Sequence, residues 1–246
     1  MFRIMTYNVH RCVGVDGRLD VSRIAAAIAR RRPDVVALQE LDVGRARTGG
    51  VDQAHAIAHK LGMSFHFHPA LAVEEERYGD AILTAEPLSL IKAGPLPGST
   101  SIRGLEPRGA LWGKLQLDGR TVNIINTHLG LVPHEQRAQA DCLVGPDWLG
   151  HPDCQDPVIL VGDFNATTRY SAYRTFVARL RDARADIPGA RSTPTFPSRF
   201  PVLAIDHIFV SPSVEVLRVE APNDPLLRVA SDHLPLVADF RLRPGR

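Results

Sequence analysis

Long apolar runs are missing from this sequence. The longest purely apolar stretch is Ile24 to Ala29, far short of the ~20 residues that a bilayer-spanning helix needs. A transmembrane segment is therefore not expected, and Met1 leads into strand-like residues without an apolar signal segment, so a cytoplasmic location is the default expectation. Cysteine is scarce as well. Cys12, Cys142 and Cys154 are odd in number and lack metal-ligand spacing, which argues against a disulfide framework and for reduced thiols. Neither sign of charge dominates, with 29 basic residues against 27 acidic ones. The field of the whole molecule is too weak to imply a polyanionic partner, so nucleic acid is permitted but not indicated. Aromatic residues make up 6%, few for a chain that stacks nucleobases along a groove. Lysine occurs only as Lys60, Lys92 and Lys114, leaving 26 arginines among the 29 basic residues. Guanidinium suits bidentate phosphate contacts, but a coding bias accounts for the excess equally well.

What is present matches ordinary globular usage: 246 residues, 44% hydrophobic and 23% charged, with no repeat and no low-complexity linker. One domain over residues 1–246, and a monomer, are expected. Phe2 to Asn8 reads as a strand. Asp20 caps a helix through Ile24 and Ile28 that stops before Pro33, and Val35 to Leu38 forms a buried strand ending at Gln39-Glu40. A second helix spans Gln53 to Leu61. Strand-like segments follow at Phe65, Phe67, Ala81 to Thr84 and Leu88 to Ile91. Gly94 to Gly109 reads as a long loop able to overhang a site, and Pro95-Leu96-Pro97 in it is a slight hint of an apolar landing surface for a membrane. Asp118-Gly119 between two apolar runs signals a type I′ hairpin. Helices near His134 to Val144 and Ala172 to Leu180, and strands at Val158 to Val161, Ile205 to Val210, Val214 to Val219 and Leu236 to Phe240, complete the pattern. The triplet Arg30-Arg31-Arg32 ends a helix, where cations complement the dipole.

The chemistry-bearing residues fall at strand ends. Asn8, Glu40, Asn126-Thr127-His128, Asp163 with Asn165, Asp206 and Asp232-His233 each close or follow an apolar run. Singly, each has a structural explanation: a turn for Asn8, an Asx turn for Asp163 to Asn165, a surface pair for Asp206-His207. Together they are the polar set of one site at converging strand ends. Carboxylates and amides without a cysteine cluster favour a hard cation, Mg²⁺ or Mn²⁺, with Glu40 as first-choice ligand. His128 and His233 suit protonated stabilisation of an oxyanion and acid/base work near neutral pH. Metal with imidazoles suggests phosphoester hydrolysis.

The motifs TYNVH at Thr6 to His10, QE at Gln39-Glu40, NTHL at Asn126 to Leu129, GDFN at Gly162 to Asn165, IDHIFV at Ile205 to Val210 and SDHLP at Ser231 to Pro235 together resemble the endonuclease/exonuclease/phosphatase superfamily, whose members are DNase I-like. They occur in the family's order and span nearly the whole chain. The resemblance implies an α/β fold, a four-layer α/β/β/α sandwich of two mixed β-sheets with a cleft at one edge. It implies that Glu40 binds the divalent cation with Asn8 beside it and Asp232 as a further ligand, that Asp163 orients or deprotonates the attacking water, and that Asn165 holds that water or a phosphoryl oxygen. His128 and His233 would stabilise charge or exchange protons, and Asp206 would pair with His233. Asp80 is the candidate partner for His128, with a surface-turn role as the alternative. Arg108 either contacts phosphate or anchors the long loop. His10 stands where DNA-repair relatives can carry an acid, so it either touches substrate or fills a cleft wall.

The expected activity is hydrolysis of a phosphodiester by in-line attack of water, since no Ser or Cys sits in a nucleophile motif. A shared catalytic centre does not identify the leaving group. A small or lipid-type phosphodiester is the first expectation, DNA or RNA cleavage the alternative, and a non-catalytic phosphate-binding module the third reading.

Overall fold

A computed structural model describes residues 1–98, 105–190 and 193–244. Its twelve strands are β1 (Phe2–Asn8), β2 (Val35–Val43), β3 (Ser64–Val73), β4 (Glu76–Thr84), β5 (Leu88–Pro95), β6 (Gly109–Leu117), β7 (Arg120–His128), β8 (Val158–Asp163), β9 (Arg181–Asp182), β10 (Asp206–Val210), β11 (Val214–Glu220) and β12 (Leu236–Leu242). They form two six-stranded mixed sheets, in the orders β11-β12-β1-β2-β4-β3 and β5-β6-β7-β8-β10-β9. Each sheet is antiparallel apart from one central parallel pair, β1 with β2 and β7 with β8. Five α-helices accompany them: α1 (Val21–Ala29), α2 (Gln53–Leu61), α3 (Pro133–Val144), α4 (Ser171–Val177) and α5 (Leu227–Ala230).

Strand alternation builds the layers. Phe2 and Ile4 of β1, Val35 and Ala37 of β2, Val122 and Ile124 of β7, and Ile159 and Val161 of β8 point into one core between the sheets. The intervening Met5, Tyr7, Val36 and Leu38 face Ile24, Ile28 and Ile57 of α1 and α2, while Ile125, Leu160 and Phe209 face Leu143 of α3 and Phe176 of α4. These central strands thus have both faces covered, which is why they read as continuous apolar runs. Helix–sheet–sheet–helix layering follows.

The same alternation carries the polar residues. Continuing two residues at a time along the inner faces leads from Phe2 and Ile4 to Thr6 and Asn8, from Ala37 to Gln39, from Ile124 to Asn126 and His128, and from Val161 to Asp163. β10 runs antiparallel to β8, so its first residue, Asp206, lies opposite Asp163. The inter-sheet core is apolar at one edge and polar at the other. Between the two lies a buried strut: Gln39 Nε2 donates to Asn126 Oδ1 at 2.8 Å, and Asn126 Nδ2 donates to the carbonyls of Leu38 and Ala81. Asn126 is consumed by joining the sheets.

Local expectations meet the structure closely. The Asp20 carboxylate accepts from Arg23 N at the start of α1, and Asp118 and Gly119 have φ of 50° and 73°, both left-handed, as a type I′ turn requires. Gly162 is obligatory, since its φ is 149° and a Cβ would lie 1.8 Å from Thr127 O. Several segments are longer than expected. β2 continues past Glu40 through a bulge to Val43, β3 and β4 form a long hairpin, and Gly94-Pro95 and Gly109 belong to strands instead of the loop between them. Residues 99–104 of that loop lie outside the described residues. Leu96 is buried in the α3 core, so the apolar landing surface expected at Pro95-Leu96-Pro97 is not there. No helix among the described residues is long and apolar enough to cross a membrane, and Cys12, Cys142 and Cys154 are free thiols.

Candidate active site

A cleft of about 400 Å³ opens at the polar edge of the sandwich, bordered by Glu40, Arg108, His128, Asp163, Asn165, Asp232 and His233. Asp163, at the end of β8, is its floor. Its Oδ1 accepts from the Asn165 amide at 2.9 Å, closing an Asx turn, and its Oδ2 accepts from Asn8 Nδ2 at 3.0 Å. The structural and chemical readings of Asp163-Phe164-Asn165 therefore coexist: the turn aims the second oxygen into the cleft. Glu40 approaches from the facing sheet. It is the bulged residue of β2, with φ of 60°, and its Oε1 takes the other proton of Asn8 Nδ2 at 2.9 Å. A non-glycine residue in this region is sparsely populated, and the bulge re-aims its side chain into the cleft.

Asp163 Oδ2 faces two imidazoles at nearly equal distance, His128 Nε2 at 3.5 Å and His233 Nε2 at 3.6 Å. Their partners differ. His233 Nδ1 donates to Asp206 Oδ2 at 3.0 Å, and Thr195 Oγ1 donates to the same oxygen at 2.5 Å. Burial opposes charge on His233, but Asp206 and then Asp163 outweigh it and raise its pKa well above the ordinary histidine value. Burial raises the Asp163 carboxyl, partly offset by the His233 cation. His128 Nδ1 instead meets Arg108 Nη1 at 3.2 Å. Arginine has only donors, so Nδ1 accepts from Arg108, while Nε2 faces the cleft beside Asp163 and lies 3.1 Å from Asn165 Nδ2, which also donates to Leu129 O. Burial, then the Arg108 and His233 cations, hold the His128 pKa well below the ordinary value.

These contacts correct two expectations. His128 is neutral and not protonated, because its surroundings are cationic and dry. Its partner is Arg108 and not Asp80; Asp80 is itself buried, excluding the surface-turn alternative, and burial pushes its carboxyl up to about 8 while the Glu40 amide donates to it. Asn8 turns its oxygen away to accept from His10 N at 3.0 Å and presents its NH₂ to Glu40 and Asp163. In this arrangement its NH₂ steadies two carboxylates. His10 lies at the margin, its Nδ1 bonded to Val13 O at 3.1 Å and 3.9 Å from Asp232 Oδ1. Asp232 is half-buried at the rim. Arg108, besides holding His128, lies 3.4 Å from Glu106 Oε2, so anchoring of the loop and exposure to the cleft occur together.

Asp163, Asp206 and His233 bring ligand atoms within 4.8 Å of one another. That cluster is an ion pair with a proton already in place, which a cation would have to displace. Outside it the cleft carries Glu106, which pairs with Arg108, and the two carboxylates Glu40 and Asp232. They are hard oxygen donors open to solvent on one side, and the site holds more acids than its cations His233 and Arg108 neutralise, so the residues present fit a divalent ion of the Mg²⁺ type.

Sequence reading missed the segment 195–204. Thr195 is buried against Asp206, the Phe196 ring packs on His233 with centroids 4.9 Å apart, and Ser198 N donates to Asp232 O at 2.7 Å. It also missed a buried cluster behind Asp206. Arg184 Nη2 donates to Asp206 O at 2.5 Å and to His207 Nδ1 at 2.7 Å, and His207 Nε2 donates to Ala166 O at 2.7 Å. Asp182 balances the Arg184 charge, 3.3 Å away. This cluster holds the backbone of Asp206 and of the residue after Asn165 together. Thr-Phe-Pro ahead of a buried strand was a visible string, but nothing local marks it as touching a distant Asp.

Two mixed sheets face to face, with a histidine–aspartate cleft at one edge, define the DNase I-like class of α/β sandwich. Residues 5–233 match the Endonuclease/Exonuclease/phosphatase family, and the chain belongs to it. The uncharacterized protein YbhP of Escherichia coli K12 is 26% identical over 255 residues, covering 98% of this chain and 96% of its own. An endonuclease/exonuclease/phosphatase from Beutenbergia cavernae superposes with a TM-score of 0.78 at 26% identity, over 98% of this chain and 72% of that one. The mannosyl-6-phosphatase Bt3783 of Bacteroides thetaiotaomicron shares the fold, with a TM-score of 0.78 at 20% identity over 98% and 100% of the two chains. Family membership supports phosphoesterase activity.

Proposed function

We propose that residues 1–246 act as a single domain that hydrolyses a phosphodiester by in-line attack of water, with Mg²⁺ or Mn²⁺ held by Glu40 and Asp232. The observation carrying this reading is one carboxylate oxygen, Asp163 Oδ2, between a charged and a neutral imidazole at 3.6 and 3.5 Å. A bound divalent ion supplies charge neutralisation at a phosphoryl oxygen. The chain's own groups do the rest. Asp163, fixed by Asn8 and the Asn165 amide, accepts a proton from water as its oxygen bonds to phosphorus. The Arg108 guanidinium donates to a phosphoryl oxygen, and His128 stays neutral beside it, held between Arg108 and Asn165. His233, charged and oriented by Asp206, stabilises the growing negative charge and returns its proton to the departing oxygen. The bond from phosphorus to that oxygen breaks, giving an alcohol and a phosphomonoester.

Replacing Asp163 with Asn keeps the shape and removes the base. Turnover of bis-p-nitrophenyl phosphate with Mg²⁺ is expected to fall by about 10³-fold or more, with the melting temperature unchanged or raised because a buried carboxylate is gone. Turnover near that of the wild type would take Asp163 out of the reaction. A small or lipid-type diester is the preferred substrate, and the assay includes sugar monophosphates, because the Bacteroides relative is a sugar phosphatase, and plasmid DNA, whose efficient nicking would favour the nuclease alternative.

A further inference from the structure

The largest exposed apolar side chains near the cleft belong to the segment that missed notice in the sequence. Phe200 is 79% exposed and Val202 74%. The base of this loop is rigid: Phe196 and Leu203 pair through backbone hydrogen bonds and both line the catalytic cleft, and Ser198 is tied to Asp232. The tip therefore projects from a fixed wall of the site. Two arginines, Arg199 and Arg228, border a shallow cavity with Phe200, and neither forms an ion pair among the described residues. On the cleft's own lining, Leu131, 66% exposed, and Tyr170, 38% exposed, add apolar surface.

Leaving two large apolar groups in water beside unpaired cations makes chemical sense where an apolar medium lies beneath an anionic layer. We propose that the Phe200–Val202 tip inserts into an anionic phospholipid surface, with Arg199 and Arg228 at the level of the lipid phosphates. This deepens the phosphodiesterase reading by naming where the substrate is met, and rests on it only for the catalytic consequence. A protein partner is the poorer fit. Specific protein interfaces bury ~800 Å² a side, whereas the apolar surface here is two exposed residues on one short loop, suited to a soft medium that needs no matching shape. Arginine stems can lie along the acyl boundary with their heads among phosphates. A docked tip brings the cleft lined by Phe196 and Leu203 to the headgroup layer.

Flotation with vesicles of equal parts phosphatidylcholine and phosphatidylglycerol tests this directly. The wild type is expected to float with these vesicles and to bind pure phosphatidylcholine at least ~10-fold less well, as charge attraction requires. The double variant Phe200→Ser/Val202→Ser, and separately Arg199→Glu, should each lose at least ~10-fold in partition, with melting temperature and soluble-diester turnover unchanged. Absence of wild-type flotation, or flotation of the double variant like the wild type, overturns the proposal. So does a wild-type dimer that the double variant converts to monomer without any vesicle binding. Flotation requires no turnover, so the two readings separate: soluble-diester hydrolysis without vesicle binding defeats docking alone, and tip-dependent binding by a protein inert on every phosphoester defeats the catalytic reading alone.

Discussion

The two sides of the cleft hold the same residue type at the same distance from one carboxylate oxygen and give it opposite charge. On the β7 side, His128 lies 3.5 Å from Asp163 and leans on a cation, Arg108; on the β10 side, His233 lies 3.6 Å away and leans on an anion, Asp206. Both rings are buried, so desolvation alone would leave both neutral. The partner decides. The two sides obtain this asymmetry from a single reversal of charge behind each imidazole.

The comparison breaks most completely at Asp206. Asp206→Asn removes the anion that keeps His233 charged and is expected to lower kcat by ~10²–10⁴-fold, with the alkaline limb of the pH profile moved to lower pH; a loss under tenfold would show that His233 needs no such partner. Arg108→Met acts on the other side. Turnover should fall ~10–100-fold through lost phosphate contact, while the His128 ring signal in NMR, silent across neutral pH in the wild type, moves up toward the ordinary histidine range. A ring that still fails to titrate would assign its neutrality to burial alone. Arg184→Lys sharpens the β10 side from behind. It keeps a cation beside Asp182 but loses the forked contact to Asp206 O and His207, so kcat should drop ~10-fold with KM nearly constant and the alkaline limb shifted. A change confined to melting temperature would make Arg184 structural only.

The smallest effect has opposite sign on the two sides. His233 has a raised pKa, so its charge contributes stability in full below the unfolded histidine value of about 6.5, and that contribution is lost as pH rises through the folded value. His128 has a lowered pKa, so its neutrality costs stability at acid pH, and the cost fades as pH rises toward about 6.5. Melting temperatures of wild type against His233→Asn and against His128→Asn, scanned from pH 5 to 10, should therefore diverge in opposite directions. Parallel curves would mean that the two rings titrate alike.

Much of this arrangement was readable in advance, and the gaps have identifiable causes. Asn8, His128, Asp163 and Asp206 lie at the ends of alternating apolar strands, and alternation shows which face they share. The family motifs added their grouping. Glu40 was legible as a strand-end carboxylate, but β2 in fact runs on to Val43, and the bulge that turns Glu40 inward exists because β4 pairs with residues on either side of it. Thr195, Phe196 and Arg184 left no local signal. They touch Asp206 and His233 only because the segment after β9 folds back across β10, and a residue's neighbours across such a return are not written in its own flanks. The Pro95-Leu96-Pro97 landing surface failed for the same reason, since exposure of Leu96 depends on whether α3 packs over it.

By itself, the sequence determined the central strands, the Asp20 cap, the hairpin at Asp118-Gly119 and the set of polar groups gathered at one edge, because backbone alternation and turn chemistry act over a few residues. The tertiary structure decided which of those groups are charged. His128 meets Arg108 from 20 positions away and His233 meets Asp206 from 27, and the electrostatics that separate a neutral imidazole from an imidazolium operate over a few ångströms of space, whatever the distance along the chain.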